Sequence, residues 1–309
     1  VTVALFTHPA CLEHRTGDYH PECPERLRAV LQALEQPRFA DLLREEAPLA
    51  TREQLLRVHP ASHIDALGAI HPEGDSLVAI DPDTMVSAGT HAAALRAAGG
   101  AVAGVDAVMD GWAKAAFVAV RPPGHHAEPN RAMGFCLFNN AAIAAQHARA
   151  RGAARVAVVD FDVHHGNGTQ AAFYHDATLF YASSHQSPCY PGTGEPGERG
   201  IADNILNVPL APRSGSEAFR AAWEGRLLPA LQAFQPELLI ISAGFDAHKA
   251  DPLAELRVET ADFAWLTERL LAAADVHCPG RLVSVLEGGY DLTALAHSAA
   301  AHVDALLRH

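Results

Sequence analysis

Two carboxylates and two imidazoles follow directly on an apolar, β-branched run in Val156-Ala157-Val158-Val159-Asp160-Phe161-Asp162-Val163-His164-His165-Gly166-Asn167-Gly168-Thr169. The run has the composition of a strand buried on both faces. Ionisable groups at the edge of such a core are costly unless they have partners or a use. On an extended backbone Asp160, Asp162 and His164 alternate and point to one side. Asp162 and His164 then offer an oxygen and a nitrogen to one metal ion. That donor set suits Zn2+ or Fe2+ better than Ca2+, which takes cages of oxygen alone. The competing reading is a strand end whose polar residues cap a neighbouring helix.

Three other segments carry groups that can join this chemistry. Arg121-Pro122-Pro123-Gly124-His125-His126-Ala127 follows the apolar run 116–120. Its prolines and glycine make a fixed turn, and adjacent imidazoles can act as a general base and an electrostatic partner. Ser242-Ala243-Gly244-Phe245-Asp246-Ala247-His248 follows the run 238–241. Asp246 can complete an Asp, His, Asp set. Three protein ligands leave positions open for water and substrate, the mark of a catalytic rather than a structural site. Glu287-Gly288-Gly289-Tyr290 follows the run 282–286. Its glycines, Gly289 among them, let the backbone pass close to a ligand. Tyr290 offers a hydroxyl to a developing oxyanion. The structural alternatives are a helix cap for Asp246, a surface pair for the histidines and a core position for the tyrosine.

The elements that must position these groups are legible as alternation. Strand-like runs fall at 1–7, 116–120, 155–160, 178–183, 205–209, 238–242 and 282–286. Helical patterns fall between them at 24–34, 52–58, 88–109, 140–151, 216–234, 260–274 and 293–307, with Asn139 and Asn140 as a helix N-cap. This predicts an α/β protein with a mainly parallel central sheet and helices on both faces. Ligands in such sheets sit beyond the carboxyl ends of the strands, where the unusual residues fall. No linker, repeat or low-complexity segment interrupts the 309 residues, so a single domain over 1–309 is expected.

Composition sets further bounds. A net charge of −13 argues against a nucleic-acid phosphate binder and is compatible with a cationic substrate. Lys114 and Lys249 are the only lysines against 21 arginines, a skew that reads as the codon bias of a GC-rich bacterial genome. Cys11, Cys23, Cys136, Cys189 and Cys278 show no CxxC spacing, which fits a reducing, cytoplasmic compartment. Neither a signal peptide nor a membrane span is expected, since no apolar run reaches ~18 residues.

Taken together, the motifs resemble the histone deacetylase family, in its class II-like branch, within the arginase–deacetylase fold. The resemblance runs in family order through His20-Pro21-Glu22-Cys23-Pro24-Glu25-Arg26, Arg121–Ala127, Met133-Gly134-Phe135-Cys136-Leu137-Phe138-Asn139-Asn140, Asp160–Thr169, Tyr190-Pro191-Gly192-Thr193-Gly194, Ala243–Asp246 and Glu287–Tyr290. It implies one Zn2+ held by Asp162, His164 and Asp246. It implies that Asp160 orients His125, that His126 is the general base and acid, and that Tyr290 polarises the substrate carbonyl. Phe135 and Tyr190 are implied as channel walls, and the Gly134 carbonyl as acceptor of the amide N–H. Structural K+ is implied at Asp160, Asp162, His164, Ser183 and Ser184. A second K+ is implied at backbone oxygens near Phe173, Asp176, Leu179 and Asn204. Arg26 matches a position that lines an inner channel in relatives.

Asn167 stands where class I relatives carry Asp, as in class II; a neutral amide raises a neighbouring imidazole's pKa less than a carboxylate does. Tyr290 is not the His of the weakly active subclass, so deacetylase activity is expected. The expected substrate is acetylated lysine or a small acetylated amine, such as an acetylpolyamine. Polyamine-selective eukaryotic relatives place a Glu gatekeeper where this chain has Leu253. Asp75, Asp81 and Asp83 are the candidate rim acids. An arginase-type dimanganese hydrolase is the nearest rival, but it needs a further Asp where Gly244 stands. A non-catalytic acyl-lysine reader is the rival from another class. His248 is not placed as a ligand, and the sequence leaves the oligomeric state open.

Overall fold

The four chemistry-bearing loops leave four neighbouring strands. In the computed structural model, which describes residues 2–309, the strands are β1 (Val3–Thr7), β2 (Leu43–Glu46), β3 (Val78–Ala79), β4 (Met85–Val86), β5 (Ala115–Val118), β6 (Val156–Asp160), β7 (Leu179–Gln186), β8 (Ile205–Leu210), β9 (Leu238–Ala243) and β10 (Leu282–Leu286). The main sheet has eight strands in the order β2-β1-β5-β10-β9-β6-β7-β8, with every pairing parallel. The histidine pair follows β5, the Gly-Gly-Tyr turn β10, Asp246 β9 and the Asp-x-Asp-x-His segment β6. Asp160 is in register with Ser242, so these ends are level. The expected α/β class with a mainly parallel sheet is observed. Val1, at the start of the first expected run, lies outside the described residues.

The helices are α1 (Pro24–Ala33), α2 (Arg52–Leu56), α3 (Ala61–Gly68), α4 (Thr90–Met109), α5 (Asn140–Ala150), α6 (Asn167–Phe173), α7 (Ser216–Ala222), α8 (Leu228–Phe234), α9 (Thr260–His277) and α10 (Leu292–Arg308). Asn139 caps α5 as expected, its side chain accepting from Ala142 N at 2.9 Å. The helix expected over 216–234 is interrupted by a π turn, Trp223–Leu227. Pro229, at the start of α8, has no N–H for an i−4 bond, and the wider turn accommodates it. β2 escapes an apolar-run reading because its sequence is Leu-Arg-Glu-Glu, with all four residues exposed on the edge of the sheet.

By length and composition α4 could cross a membrane, but 67% of its apolar window is buried inside the protein. It packs on β1, β5 and β10. Gly100 and Gly104 permit that approach, a Cβ there standing 3.1 Å from Val118 Cγ1 and 3.0 Å from Val283 Cγ1, while Gly99 faces the 48–50 segment. A Cβ on Gly99 would stand 2.0 Å from Pro48 O and 2.6 Å from Ala50 N, both backbone atoms that cannot swing away. Helix propensity favours Ala over Gly by about 1 kcal/mol, whereas overpacking costs about 1–3 kcal/mol. Gly99→Ala is therefore expected to lower Tm. Gly68→Ala, where nothing lies within 4 Å of the added methyl, should leave Tm level or raise it. Thermal unfolding of the two variants checks the comparison.

Candidate active site

Strand β6 ends at Asp160, and Asp162 and His164 lie in the bends beyond it rather than on an extended strand. Phe161 is fully buried against Phe245 and Phe263, and the side chains of Asp162 and His164 meet Asp246. Asp162, His164 and Asp246 each present a ligand atom, all within 4.8 Å of one another, and no other such group of three occurs among the described residues. His164 Nδ1 is 3.1 Å from Asp162 Oδ1 and 3.2 Å from Asp246 Oδ2.

Backbone amides aim both carboxylates. Val163 N donates to Asp246 at 2.8 Å and Gly288 N to Asp162 at 2.8 Å. Burial, reinforced by Asp162, pushes the Asp246 carboxyl up to about 7. Two carboxylates this close and this dry call for a cation, and a donor set of two oxygens and one imidazole fits zinc. The cluster has no room for more. A Cβ at Gly244 would stand 2.0 Å from Asp162 Oδ2, so the additional Asp of a dimanganese site cannot be placed there.

The adjacent histidines have different partners. His125 Nδ1 is 2.9 Å from Asp160 Oδ2, which also accepts from the Tyr181 hydroxyl at 3.0 Å. Burial alone would lower the His125 pKa, but Asp162 and Asp160 outweigh it and raise it to about 10. His126 Nδ1 is 2.8 Å from Asn167 Oδ1. Burial, then the neighbouring His125 and His164, hold its pKa well below the usual value. The two rings are thus biased in opposite directions, His125 toward the imidazolium and His126 toward the neutral imidazole.

The Tyr290 turn is fastened from three sides. Arg26 is fully buried, donates to Gly289 O and Glu287 O at 2.5 Å each, and lies 4.8 Å over the Tyr290 ring. Asp251 accepts from Tyr290 N at 2.7 Å. The Glu287 carboxylate accepts from Gly124 N and His125 N at 2.7 and 3.1 Å and from Ser242 Oγ at 3.1 Å, tying three loops together. Burial, with Asp246 and Asp162 near by, keeps the phenol of Tyr290 protonated and therefore a donor.

Aromatic rings stand around this floor. Tyr190 lies edge-on to His126 at 5.1 Å and Phe135 edge-on to Tyr290 at 5.8 Å. Phe135 has φ +69°, a conformation rare for an aromatic residue. Its neighbour Gly134 has φ +56°, and a Cβ there would stand 2.6 Å from His126 Cδ2. Leu253 is 38% exposed, and its N–H donates to Asp251. His248 is not brought to the cluster: its ring faces Ala250 N and Thr260 Oγ1.

Of the residues implied for the first potassium, Asp160 is in register with Ser183 on the neighbouring strand β7; Ser183 Oγ is 2.8 Å from His185 Nδ1, and Ser184 Oγ accepts from Trp223 Nε1 at 3.1 Å. At the second implied potassium cluster the carbonyls of Phe173, Asp176 and Leu179 converge on the side-chain amide of Asn204, whose Nδ2 lies at 2.9, 3.0 and 2.8 Å. Asn204 Oδ1 is buried without a hydrogen-bond partner.

Sequence reasoning gave no role to Glu22, Arg121, Tyr181, Asp251 or Glu287. The usable signal was charge or hydroxyl inside apolar or Pro/Gly context. Such groups must be paired, though the sequence does not say with what.

The model of the histone deacetylase domain matches residues 20–306. The chain belongs to the histone deacetylase family. A histone deacetylase-like amidohydrolase of Pseudomonas aeruginosa is 40% identical, with 93% of this chain and 81% of that protein covered. A probable deacetylase of Archaeoglobus fulgidus is 38% identical, with 94% and 82% covered. The crystal structure of the HDA15 HD domain superposes with a TM-score of 0.93 at 36% identity, covering all of this chain and 88% of that one. The protein is thus a hydrolase of the deacetylase or amidohydrolase kind within the histone deacetylase family. Gly134→Ala should force His126 or the Phe135 turn to move. Deacetylase turnover should fall by on the order of 10²-fold, the loss an ~1 Å misplacement produces, with the fold retained by circular dichroism.

Proposed function

We propose that the protein is a zinc-dependent deacetylase that hydrolyses the N-acetyl amide of a lysine-like side chain to acetate and a free amine. The observation that carries this is one buried Asp, His, Asp triad faced by a neutral imidazole and a protonated tyrosine. Zinc held by Asp162, His164 and Asp246 supplies Lewis acidity to an acyl oxygen and to water. Asn167 accepts from His126 Nδ1, which leaves Nε2 as the acceptor for the proton of attacking water. The same nitrogen returns that proton to the departing amine as the C–N bond breaks. The Tyr290 hydroxyl donates to the acyl oxygen as charge develops there. His125, held by Asp160, contributes fixed positive charge. Phe135 and Tyr190 enclose the aliphatic stem, and the Gly134 carbonyl accepts the amide N–H.

Chelation is expected to abolish turnover of a fluorogenic acetyl-lysine peptide, and Zn2+ to restore it at about one equivalent per chain. Tyr290→Phe should keep the zinc and lower kcat by roughly 10²-fold. Two tightly held catalytic metals, or zinc retention with no turnover of any acyl amide, would overturn the reading.

Acetylpolyamines are the second substrate class, and one observation favours them. Asp83 is half-buried beside Asp81, its carboxyl pushed up to about 6 by burial and by that neighbour, and its charge acts on the Tyr190 phenol. Leu253, in contrast, brings no charge to its position. Diffuse attraction by an acidic surface is screened within about 10 Å at ~0.1 M salt and does not set selectivity. Acetyl-lysine peptides are therefore expected to show higher kcat/KM than acetylspermidine, with Leu253→Glu moving the preference toward the polyamine. A preference of the unaltered enzyme for acetylspermidine by more than about tenfold would transfer the specificity to the Asp81–Asp83 pair.

A further inference from the structure

We infer that Glu128 is a positioning residue that fixes which way round the Asn167 amide lies, and thereby fixes the proton of His126 on Nδ1. The inference rests on His126 being the general base. An Asn side chain can present either its oxygen or its NH2 to a partner, the two orientations being nearly identical in shape. A carboxylate has no such ambiguity: Asp160 accepts from His125 Nδ1 with either oxygen. A dyad of Asn and His therefore needs a third group to choose the orientation, and a dyad of Asp and His does not.

Glu128 makes the choice. Asn167 Nδ2 is 2.9 Å from Glu128 Oε1, 3.4 Å from Met133 Sδ and 3.5 Å from His126 O. All three are acceptors, and Glu128 is the charged one. Reversing the amide would aim the lone pairs of Oδ1 at a carboxylate and present NH2 to His126 Nδ1. The ring would then carry its proton on Nε2 and have no lone pair there for water.

The spacing of the three groups is held by backbone. Glu128 and Arg131 exchange N–H···O bonds of 2.9 and 3.3 Å. Gly168 N and Thr169 N both donate to His125 O, at 3.0 and 3.3 Å. A Cβ on Gly168 would stand 2.2 Å from Ala127 O, so α6 is seated directly on the 125–127 backbone.

The test exchanges which partner is the amide. In Glu128→Gln the new NH2 can face either orientation of Asn167, and both tautomers of His126 become populated. kcat should fall between about fivefold and 10²-fold, the upper figure being the low end of what a general base supplies, with KM unchanged. Asn167→Asp alone sets two carboxylates face to face and should also be slow. Combining Glu128→Gln with Asn167→Asp restores a matched pair. The new amide at position 128 donates to one oxygen of the new carboxylate at position 167, and His126 Nδ1 donates to the other. At each variant's own pH optimum, kcat of the double variant should therefore return to within a few-fold of the parent. Loop packing alone predicts that the two losses add, and additive losses overturn the inference.

A second readout does not depend on turnover. In zinc-loaded protein labelled with 15N-histidine, His126 should show a protonated Nδ1 and an unprotonated Nε2, and Glu128→Gln should show a mixture. An unchanged single tautomer in that variant overturns the inference. Failure of the parent protein to turn over any acyl amide would instead remove the proposed function, and the tautomer measurement would still decide the role of Glu128.

Discussion

Everything around the site follows from negative charge buried at the carboxyl ends of β10, β9 and β6. Asp160, Asp162, Asp246 and Glu287 are each at most 1% exposed. An uncompensated carboxylate in such a place costs several kcal/mol, so every one of these groups requires counter-charge or donors. Asp160 finds His125 and Tyr181, and Glu287 finds two backbone amides and Ser242. Asp162 finds amides, His164 and, at 3.8 Å, His125; Asp246 finds Val163 N and His164 only, and its carboxyl is pushed up. A divalent cation is the economical solution for that pair. The geometry that would bind it is the same geometry that would be unstable without it.

A second buried charge system supports the first from behind. Glu22 is fully buried, yet its carboxyl is held well below the usual range: burial opposes this, and Arg121 and Arg26 outweigh it. Arg121 makes a two-pronged contact with Glu22, at 2.5 and 2.7 Å, and donates to the carbonyls of Cys11 and His14. Arg26 bonds to Glu22 at 2.9 Å and carries the connection to the carbonyls beside Tyr290. Forked guanidinium contacts resist rotation, which a lysine would not. The Tyr290 turn is thus held by residues more than 260 positions earlier in the chain.

That distance explains what the sequence could and could not disclose. Strands β5, β6, β9 and β10 were legible because each is a continuous apolar run, and their order along the chain with short polar ends pointed to the site. The triad, the histidine pair and Tyr290 were legible because each sits at such an end. Arg26 was visible only as a motif match, since its hydrogen bonds to Gly289 O and Glu287 O depend on α1 lying beside the β10 turn. Edge strand β2 has no apolar signature. Pro229 in an otherwise helical pattern was a local warning of the π turn.

Close approach, finally, decides how many metals the floor can hold. Gly244 and Gly288 face the same carboxylates from two strand ends. A Cβ on Gly288 would stand 2.1 Å from Asp246 Oδ2 and 2.6 Å from Asp162 Oδ2. Neither position admits even a methyl group without displacing a ligand candidate. A second divalent ion needs further oxygen donors on the open side of the first, and here that side is occupied by His126 and Tyr190. The rings are 5.9 and 6.3 Å from His164. Both are neutral groups suited to gripping and deprotonating, and neither offers the carboxylate that a bridged pair of ions requires. The residues at this floor offer donors for one cation and no carboxylate at Gly244 for the arginase-type arrangement.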